Sequence, residues 1–239
     1  LAYISNPLLV MAGTAMVTAG IAFKLSLVPF HMWTPDVYQG APTPVTGFLA
    51  TVSKGAVFVA LARIYMDAEL HQYESLILAL SVLAAFSMLI GNLLALLQED
   101  IKRLLAYSSI AHFGYLLIVL IALTGSEMAS EAVTFYLAAY ILTTLGAFTV
   151  IARVSREDQQ KSQISEFEGL FWRNKIQATA LTIAMLSFAG IPLTAGFMAK
   201  FFVINVAIQG SHWFLLSALV IGSAIGIYYY LRIIFSMSK

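Results

Sequence analysis

Seven apolar segments, each long enough to cross a lipid bilayer, constrain this chain more than any other feature. A membrane-spanning helix needs about 20 predominantly apolar residues. The segments lie at about residues 7–39, 44–65, 74–97, 101–123, 131–152, 176–209 and 212–234. Only 10% of the 239 residues are charged and 60% are hydrophobic, so the sequence predicts an all-α, polytopic membrane bundle in one transmembrane domain, residues 1–239. There is no soluble domain and no nucleic-acid-binding patch.

Two of the segments, residues 7–39 and 176–209, are too long for one straight crossing. The first contains KLSLVPFHMWTPDVYQ, in which Pro29 cannot donate the backbone hydrogen bond of a continuous helix. The second contains FAGIPLTAGFMAK, with Gly190 and Pro192. Broken helices are tolerated at membrane depth only where they face protein or a water-filled cavity. Both segments are therefore predicted to be discontinuous helices.

The charges of the connections predict the orientation of the bundle. Seven crossings place every basic residue of one set of connections on the same side, which the positive-inside rule makes cytoplasmic. The basic set is Lys102, Arg103, Arg153, Arg156, Lys161, Arg173, Lys175, Arg232 and Lys239, and the acidic set opposite is Asp67, Glu69, Glu74, Glu127 and Glu131. Leu1 is then expected outside.

The longest polar stretch, residues 153–175, is predicted to be a cytoplasmic loop. Within it Ile164, Phe167, Leu170 and Phe171 recur at helical spacing, which fits a short amphipathic helix on the membrane surface. A solvated loop is the alternative.

Ionisable residues at mid-depth are the main candidates for function, because a charge there costs about 2.5–3.5 kcal/mol on insertion scales. Lys54 follows Pro44 at a depth of roughly 15 Å, and His112 lies about 14 Å beyond Arg103. Histidine titrates near neutral pH and can relay protons through either ring nitrogen. A structural ion pair for Lys54, and a neutral histidine bonded to a carbonyl or hydroxyl, are the alternatives.

Lys24 and Lys200 lie beside the two predicted breaks, where a desolvated lysine can release and take up protons. His31 and Asp36 follow Pro29 and are secondary candidates; Asp36 could instead pair with a cation or cap a half-helix. None of the seven segments holds a carboxylate at mid-depth. The acidic partner of these lysines is therefore expected elsewhere in the protein or in another subunit.

Aromatic residues near the segment ends are predicted to pack or to anchor the bundle at the interface. This group comprises Phe30, Trp33 and Tyr38, whereas Tyr228, Tyr229 and Tyr230 are predicted to lie in an aromatic belt at the cytoplasmic interface. The absence of cysteine excludes disulfides and iron–sulfur ligation, and the four histidines have no spacing that indicates haem or a metal.

Three stretches carry a resemblance to a known family. LVPFHMWTPDVYQGAPTPVTGFLATVSKGAVF, DIKRLLAYSSIAHFGYLL and LSFAGIPLTAGFMAKF together resemble the antiporter-like subunits of respiratory complex I, the proton-pumping NADH:quinone oxidoreductase. The resemblance implies about fourteen helices with inverted repeats, of which this chain would supply the seventh to the thirteenth. It also implies that Lys24, Lys54 and Lys200 match the family's buried lysines and that His112 matches a polar position of the family. These four residues are the predicted proton relay.

The resemblance further implies a place in the bacterial inner membrane beside other membrane subunits of complex I, including sister antiporter-like subunits. No cofactor is expected in this chain, and NADH, FMN, iron–sulfur clusters and quinone are expected in other subunits. The family's fifth-helix glutamate and sixth-helix lysine are not in this chain. Two alternatives stay open, namely a related Na⁺ or K⁺/H⁺ antiporter and a structural, quinone-lining membrane subunit.

Overall fold

The computed structural model describes residues 7–125, 128–157 and 162–239, with side chains except at residues 7–11 and 156–157. Two of the loop charges named above, Glu127 and Lys161, lie outside the described residues. The principal helices are α1 (Pro7–Leu25), α2 (Trp33–Gly40), α3 (Thr43–Asp67), α4 (Glu74–Leu96), α5 (Ile101–Ile121), α6 (Ala129–Glu157), α7 (Lys175–Ala189), α8 (Ala195–Gln209) and α9 (Trp213–Ser238).

Five of these helices, α3, α4, α5, α6 and α9, are long and apolar enough to cross a membrane. The two overlong segments are each divided in two, the first into α1 and α2 and the second into α7 and α8. The predicted all-α membrane bundle and both predicted breaks are confirmed. The helix α1 ends at Leu25, so the first break begins at Ser26, three residues before Pro29.

The central element is α5, whose side chains are buried along its whole length except at Arg103. It contacts α2, α4, α6, α8 and α9. The approach of α4 is close because glycines face backbone on the partner helix. A Cβ at Gly91 would lie 3.0 Å from the carbonyl oxygen of Tyr107, and one at Gly114 would lie 3.0 Å from that of Ala84. Small residues commonly allow such helix contacts in membranes.

The connections that carry the basic residues meet at one end of the bundle. Arg232 on α9 donates to the carbonyl of Leu96 at 3.1 Å, and the amide of Ile164 donates to Glu99 at 2.8 Å. Lys239 lies 3.8 Å from Glu168. This clustering agrees with the predicted segment count, and the assignment of this end to the cytoplasm stays a prediction.

The amphipathic stretch of the long polar connection consists of two short helical turns, Ile164–Phe167 and Leu170–Arg173. Gly169 separates them with a φ of 72°. The side chains of Ile164, Phe167 and Leu170 are buried. The apolar face of this stretch therefore packs on the protein.

Candidate functional site

Lys54 follows a single π-helical turn, Leu49–Ser53, inside α3. Such turns are rare and often occur at functional sites. The side chain of Lys54 is 1% exposed, as its depth in the segment predicts. The π-helical turn escaped sequence reasoning, since no proline or glycine lies within residues 49–53.

The Lys54 ammonium is held by a hydroxyl and two aromatic rings. Its Nζ donates to Ser109 Oγ at 2.9 Å and lies 5.6 Å from the centroid of Tyr38 and 5.4 Å from that of Phe113. Aromatic faces stabilise a cation, more so when it is desolvated. In the ranges that the structure describes, no carboxylate forms a salt bridge with Lys54. Those ranges therefore do not supply the structural ion pair considered as the alternative.

His112 is buried with both ring nitrogens engaged by tyrosine hydroxyls. Nδ1 lies 2.7 Å from Tyr136 Oη and Nε2 lies 3.3 Å from Tyr230 Oη. The Tyr230 hydroxyl also hydrogen bonds to Ser108 Oγ. A neutral imidazole donates through one nitrogen and accepts through the other. This histidine can thus take a proton on one side and release one on the other.

Lys200 on α8 interacts with the end of the preceding half-helix. Its Nζ donates to the carbonyl of Ala189, the last residue of α7, at 3.1 Å. The C-terminus of a helix carries partial negative charge, which favours a cation. Gly190 next to it has a φ of 77°, and a Cβ there would meet Lys200 Cδ at 2.9 Å. The helix break and the lysine therefore form one structural unit.

One helix, α5, joins the two lysines. Ser109 on α5 accepts from Lys54 and from Tyr140, each at 2.9 Å. One turn further, the His112 ring lies 5.4 Å from the Tyr140 ring and 5.7 Å from the Tyr115 ring, centroid to centroid. The Tyr115 ring in turn lies 5.5 Å from Lys200 Nζ. The structure thus brings Lys54, His112 and Lys200 onto one line of polar and aromatic contacts.

The tyrosines of this line are functional candidates that sequence reasoning missed. The prediction that Tyr229 and Tyr230 belong to an interfacial belt is wrong, because both are 1% exposed, whereas Tyr228 is 65% exposed. Consecutive helical residues point in different directions, so only one of the three faces outward. Tyr38 is also buried, beside Lys54. The sequence signal that could have indicated this line of contacts was the polar run at residues 107–109 on α5.

The candidates of the first segment differ in burial. Lys24 lies in the last turn of α1 and its side chain is exposed, not desolvated as predicted, because most of α1 has no covering partner among the described residues. His31 lies inside the break, buried, with its ring 6.4 Å from that of Tyr107. Asp36 is exposed and accepts from Arg103 Nη1 at 2.5 Å. It thus has the cationic partner considered for it.

A second polar cluster joins α2 to the start of α5, and sequence reasoning missed it because it used these charges only to predict the orientation of the bundle. Lys102 is buried, and its Nζ donates to the carbonyls of Gln39 at 3.2 Å and Ala41 at 3.0 Å. Asp100 caps α5 by accepting from the amides of Lys102 and Arg103. Gln39 Nε2 donates to Asp100 at 3.1 Å. The half-helix α2 is therefore fixed to α5 at its C-terminus.

The two remaining histidines lie in turns outside this line of contacts. His71 belongs to the turn Leu70–Gln72, and His212 immediately precedes α9. Within the described parts of the chain, no group of three or more His, Asp or Glu side chains could hold a metal ion.

Comparison with known proteins places the chain in a family. The family described as NADH:quinone oxidoreductase/Mrp antiporter, TM, matches residues 2–226. NADH-quinone oxidoreductase subunit N of Methylococcus capsulatus is 54% identical over 231 residues, which are 96% of this chain and 47% of that protein. The chain thus spans about half the length of the curated relative.

Solved structures agree with this assignment. A chain of respiratory complex I from Thermus thermophilus with bound aureothin matches with 39% identity and a TM-score of 0.79, covering 92% of this chain and 48% of that one. A chain of the Mrp complex from Dietzia sp. DQ12-45-1b shares the fold, with 24% identity and a TM-score of 0.87 over 98% of this chain and 43% of that one.

The resemblance expected from the sequence is confirmed. Among the sister subunits N, L and M, Tyr38-Gln39-Gly40 and Ser53-Lys54 favour similarity to N, in agreement with the curated relative. The chain is a multi-pass membrane protein that belongs to the NADH:quinone oxidoreductase/Mrp antiporter family.

Proposed function

We propose that this chain is part of a proton-translocating, antiporter-like subunit of an NADH:quinone oxidoreductase in the bacterial inner membrane. The similarity to subunit N supports membership of such a complex, and the geometry of the candidate site supports proton transfer. The observation that carries the proposal is the line of contacts along α5, which joins two buried lysines through a histidine. Buried ionisable groups in membrane helices typically mark ion or proton pathways.

In this proposal each group on the line holds or passes a proton. Lys54 exchanges protons through Ser109, whose hydroxyl can donate and accept at once. His112 takes part through its two nitrogens, and Lys200 is the last group within this chain. The gaps that only ring faces span would be bridged by water, which connects polar groups beyond direct hydrogen-bonding distance.

The first segment supplies the proposed uptake side. Lys24 receives protons arriving from the cytoplasm and passes them towards Lys54. Its exposed side chain leaves room for a carboxylate partner from another part of the protein. His31 and Asp36 have secondary roles at the break.

Redox chemistry in other subunits would drive the transfer. NADH, FMN, iron–sulfur clusters and quinone belong to those subunits, and this chain contributes protonatable side chains only. The partners are the other membrane subunits of the complex, including sister antiporter-like subunits, and the surrounding lipid. A change in the charge of a neighbouring group shifts a lysine's proton affinity, with about 1.4 kcal/mol for each pKa unit.

Exchange of Na⁺ or K⁺ for protons is the second candidate, because the matching family includes Mrp antiporters. A lysine at position 200 weighs against direct cation coordination there, since a cation needs oxygen ligands. A structural, quinone-lining subunit is the third candidate, in which Lys54 and Lys200 would have no role in transfer.

Substitution of the two lysines separates the candidates. Lys54→Met and Lys200→Met, each in the full-length protein within its complex, are expected to leave assembly intact and to lower redox-driven proton transport at least tenfold. Lys175→Met, at the exposed start of α7, is the matched control and should transport normally. Normal transport by both buried-lysine variants would overturn the proposal, and transport that requires Na⁺ or K⁺ would favour the antiporter.

A further inference from the structure

A buried amide on α4 lies next to the aromatic ring that faces Lys200. Asn92 is 1% exposed, and its Nδ2 donates to the carbonyl of Met88 at 2.6 Å and to Tyr115 Oη at 2.9 Å. Its Oδ1 accepts from Tyr229 Oη at 2.9 Å. An amide in an apolar interior is costly unless it is hydrogen bonded. Here both N–H groups and the carbonyl oxygen have partners, so the orientation of the amide is fixed.

The backbone of α9 confines this amide further. A Cβ at Gly222 would lie 2.8 Å from Asn92 Nδ2 and 3.1 Å from the carbonyl oxygen of Met88. A Cβ at Gly226 would lie 3.3 Å from Asn92 Oδ1. Two glycines one helical turn apart therefore leave a slot for the amide between α4 and α9.

The amide in this slot bonds to Tyr115, and Tyr115 contacts the ammonium of Lys200. Among the described residues, the carbonyl of Ala189 lies 3.1 Å from its ammonium and the centroid of the Tyr115 ring 5.5 Å away, and the His112 imidazole is close enough to interact with its charge. No carboxylate of the described ranges pairs with it. Cation–π attraction depends on the ring presenting its face. Because Asn92 donates to the Tyr115 hydroxyl, which lies on the long axis of the ring, it fixes where that ring lies relative to the ammonium.

We propose that Asn92 is a positioning residue for Lys200, which acts by holding the Tyr115 ring next to the ammonium. This proposal rests on the proposed role of Lys200 in proton transfer. Tyr229 and Gly222 on α9 hold Asn92 in place on α4. The contact between α4 and α9 therefore affects the proton affinity of Lys200, although neither helix carries Lys54 or Lys200.

The test is the pH dependence of redox-driven proton transport, measured in membrane vesicles with the full-length protein in its complex. Asn92→Leu keeps the volume of the side chain and removes its hydrogen bonds. The charged form of Lys200 then loses a favourable ring contact, so the alkaline limb of the profile should move about one pH unit lower. Gly222→Ala, which forces the amide aside, should move the limb in the same direction by less. Gly146→Ala on α6 has open space around it and should leave the profile unchanged.

A second variant keeps the test decisive if Asn92→Leu does not assemble. Tyr115→Phe retains the ring but loses the hydroxyl that Asn92 holds, so it should shift the profile similarly. Combining it with Asn92→Leu should add little, because both substitutions break the same contact. A profile that does not move in assembled variants, or shifts that simply add, would overturn the proposal.

The Lys200→Met variant distinguishes this proposal from the one on which it rests. Normal transport by that variant would overturn the role of Lys200 and this proposal together. Lost transport by Lys200→Met, together with an unmoved profile for Asn92→Leu and Tyr115→Phe, would overturn only the positioning role.

Discussion

The two broken segments are similar in sequence, but they are stabilised differently. The first break, between α1 and α2, is closed by side chains from several elements. The amide of Val28 donates to Ser87 Oγ at 3.0 Å, Thr34 Oγ1 donates to Ser26 Oγ at 2.5 Å, and Trp33 Nε1 donates to the carbonyl of Phe23 at 3.0 Å. The Ser87 side chain thus satisfies the Val28 amide, which the broken helix would otherwise leave unpaired, and the other two bonds hold the ends of the break together.

The second break, between α7 and α8, is closed by tight backbone packing. Gly190 and Leu193 have positive φ values of 77° and 75°. A Cβ at Gly196 would lie 1.7 Å from the carbonyl oxygen of Ser187, while the Gly196 amide donates to Ser187 Oγ at 3.1 Å. The two half-helices overlap at a place where only glycine fits.

The difference extends to the lysine beside each break. Lys200 is 8% exposed and bonded to the end of α7, whereas Lys24 is exposed on α1. The second break is therefore complete within this chain. The first holds its half-helix α2 in place through Lys102 and Asp100 at the start of α5, and its own lysine forms no salt bridge within the described ranges. A proline and a lysine in an apolar segment thus predict a break, but they do not predict how it is built.

The largest expected effect is at the tightest backbone contact. Gly196→Ala should lower the free energy of unfolding by about 3 kcal/mol or more, because the added methyl group overlaps the backbone of Ser187. The measurement is the thermal unfolding midpoint in detergent, with Gly146→Ala, which has nothing within 4 Å, as the control. Equal midpoints for the two variants would show that the second break is not closed by backbone packing.

The next effect concerns the attachment of α2. Lys102→Met keeps the apolar stem but leaves the carbonyls of Gln39 and Ala41 without the ammonium, at a cost of about 1–3 kcal/mol. The measurement is again the thermal unfolding midpoint. The control Lys175→Met, at the exposed start of α7, should change the free energy of unfolding by less than about 0.5 kcal/mol. If the two substitutions had the same effect, Lys102 would not be what fixes α2.

A smaller effect is expected at the cap of α8. Thr194 Oγ1 accepts from the amide of Phe197 at 3.3 Å and donates to the carbonyl of Ile191 at 2.7 Å. Thr194→Val conserves the shape and should cost about 1 kcal/mol. Thr149→Val, at an exposed site on α6 where the hydroxyl bonds only its own helix, is the control. If Thr194→Val and Thr149→Val changed the free energy of unfolding equally, the Thr194 cap would not stabilise the second break.

The smallest effect belongs to the exposed ion pair of the first segment. Asp36→Asn removes the charge that Arg103 contacts at 2.5 Å, and an exposed pair is worth about 0.2–1 kcal/mol. Salt screens such pairs, so the loss should be measurable in low salt and disappear in about 1 M salt. An effect that persisted in high salt would assign Asp36 a role beyond this pair.

Much of the site could be predicted from single residues. Lys54, His112 and Lys200 stand out because apolar segments give their depth and because a charge at that depth is costly. Tyr115, Tyr140 and Asn92 could not be found in this way. Tyrosine and asparagine are also common at interfaces and in packed helices, and their roles depend on which helix lies opposite.

Lys24 shows the reverse limit. Its sequence position predicts burial, but burial depends on what packs against α1. The described residues leave the Lys24 side chain exposed. Lys102 is one of the charges that the sequence assigns to a connection, yet its side chain is buried, because α2 packs against the start of α5.

The sequence by itself determined the all-α membrane architecture, the number of segments and the two breaks, because bilayer thickness and backbone hydrogen bonding leave few ways to arrange long apolar segments. It also determined the family, through the resemblance of three long motifs. Only the tertiary structure decided that α5 would lie at the centre and join Lys54 to Lys200, and that side chains would close one break and glycine contacts the other. These features follow from which helix faces meet, and hydropathy carries no information about that when every face is apolar.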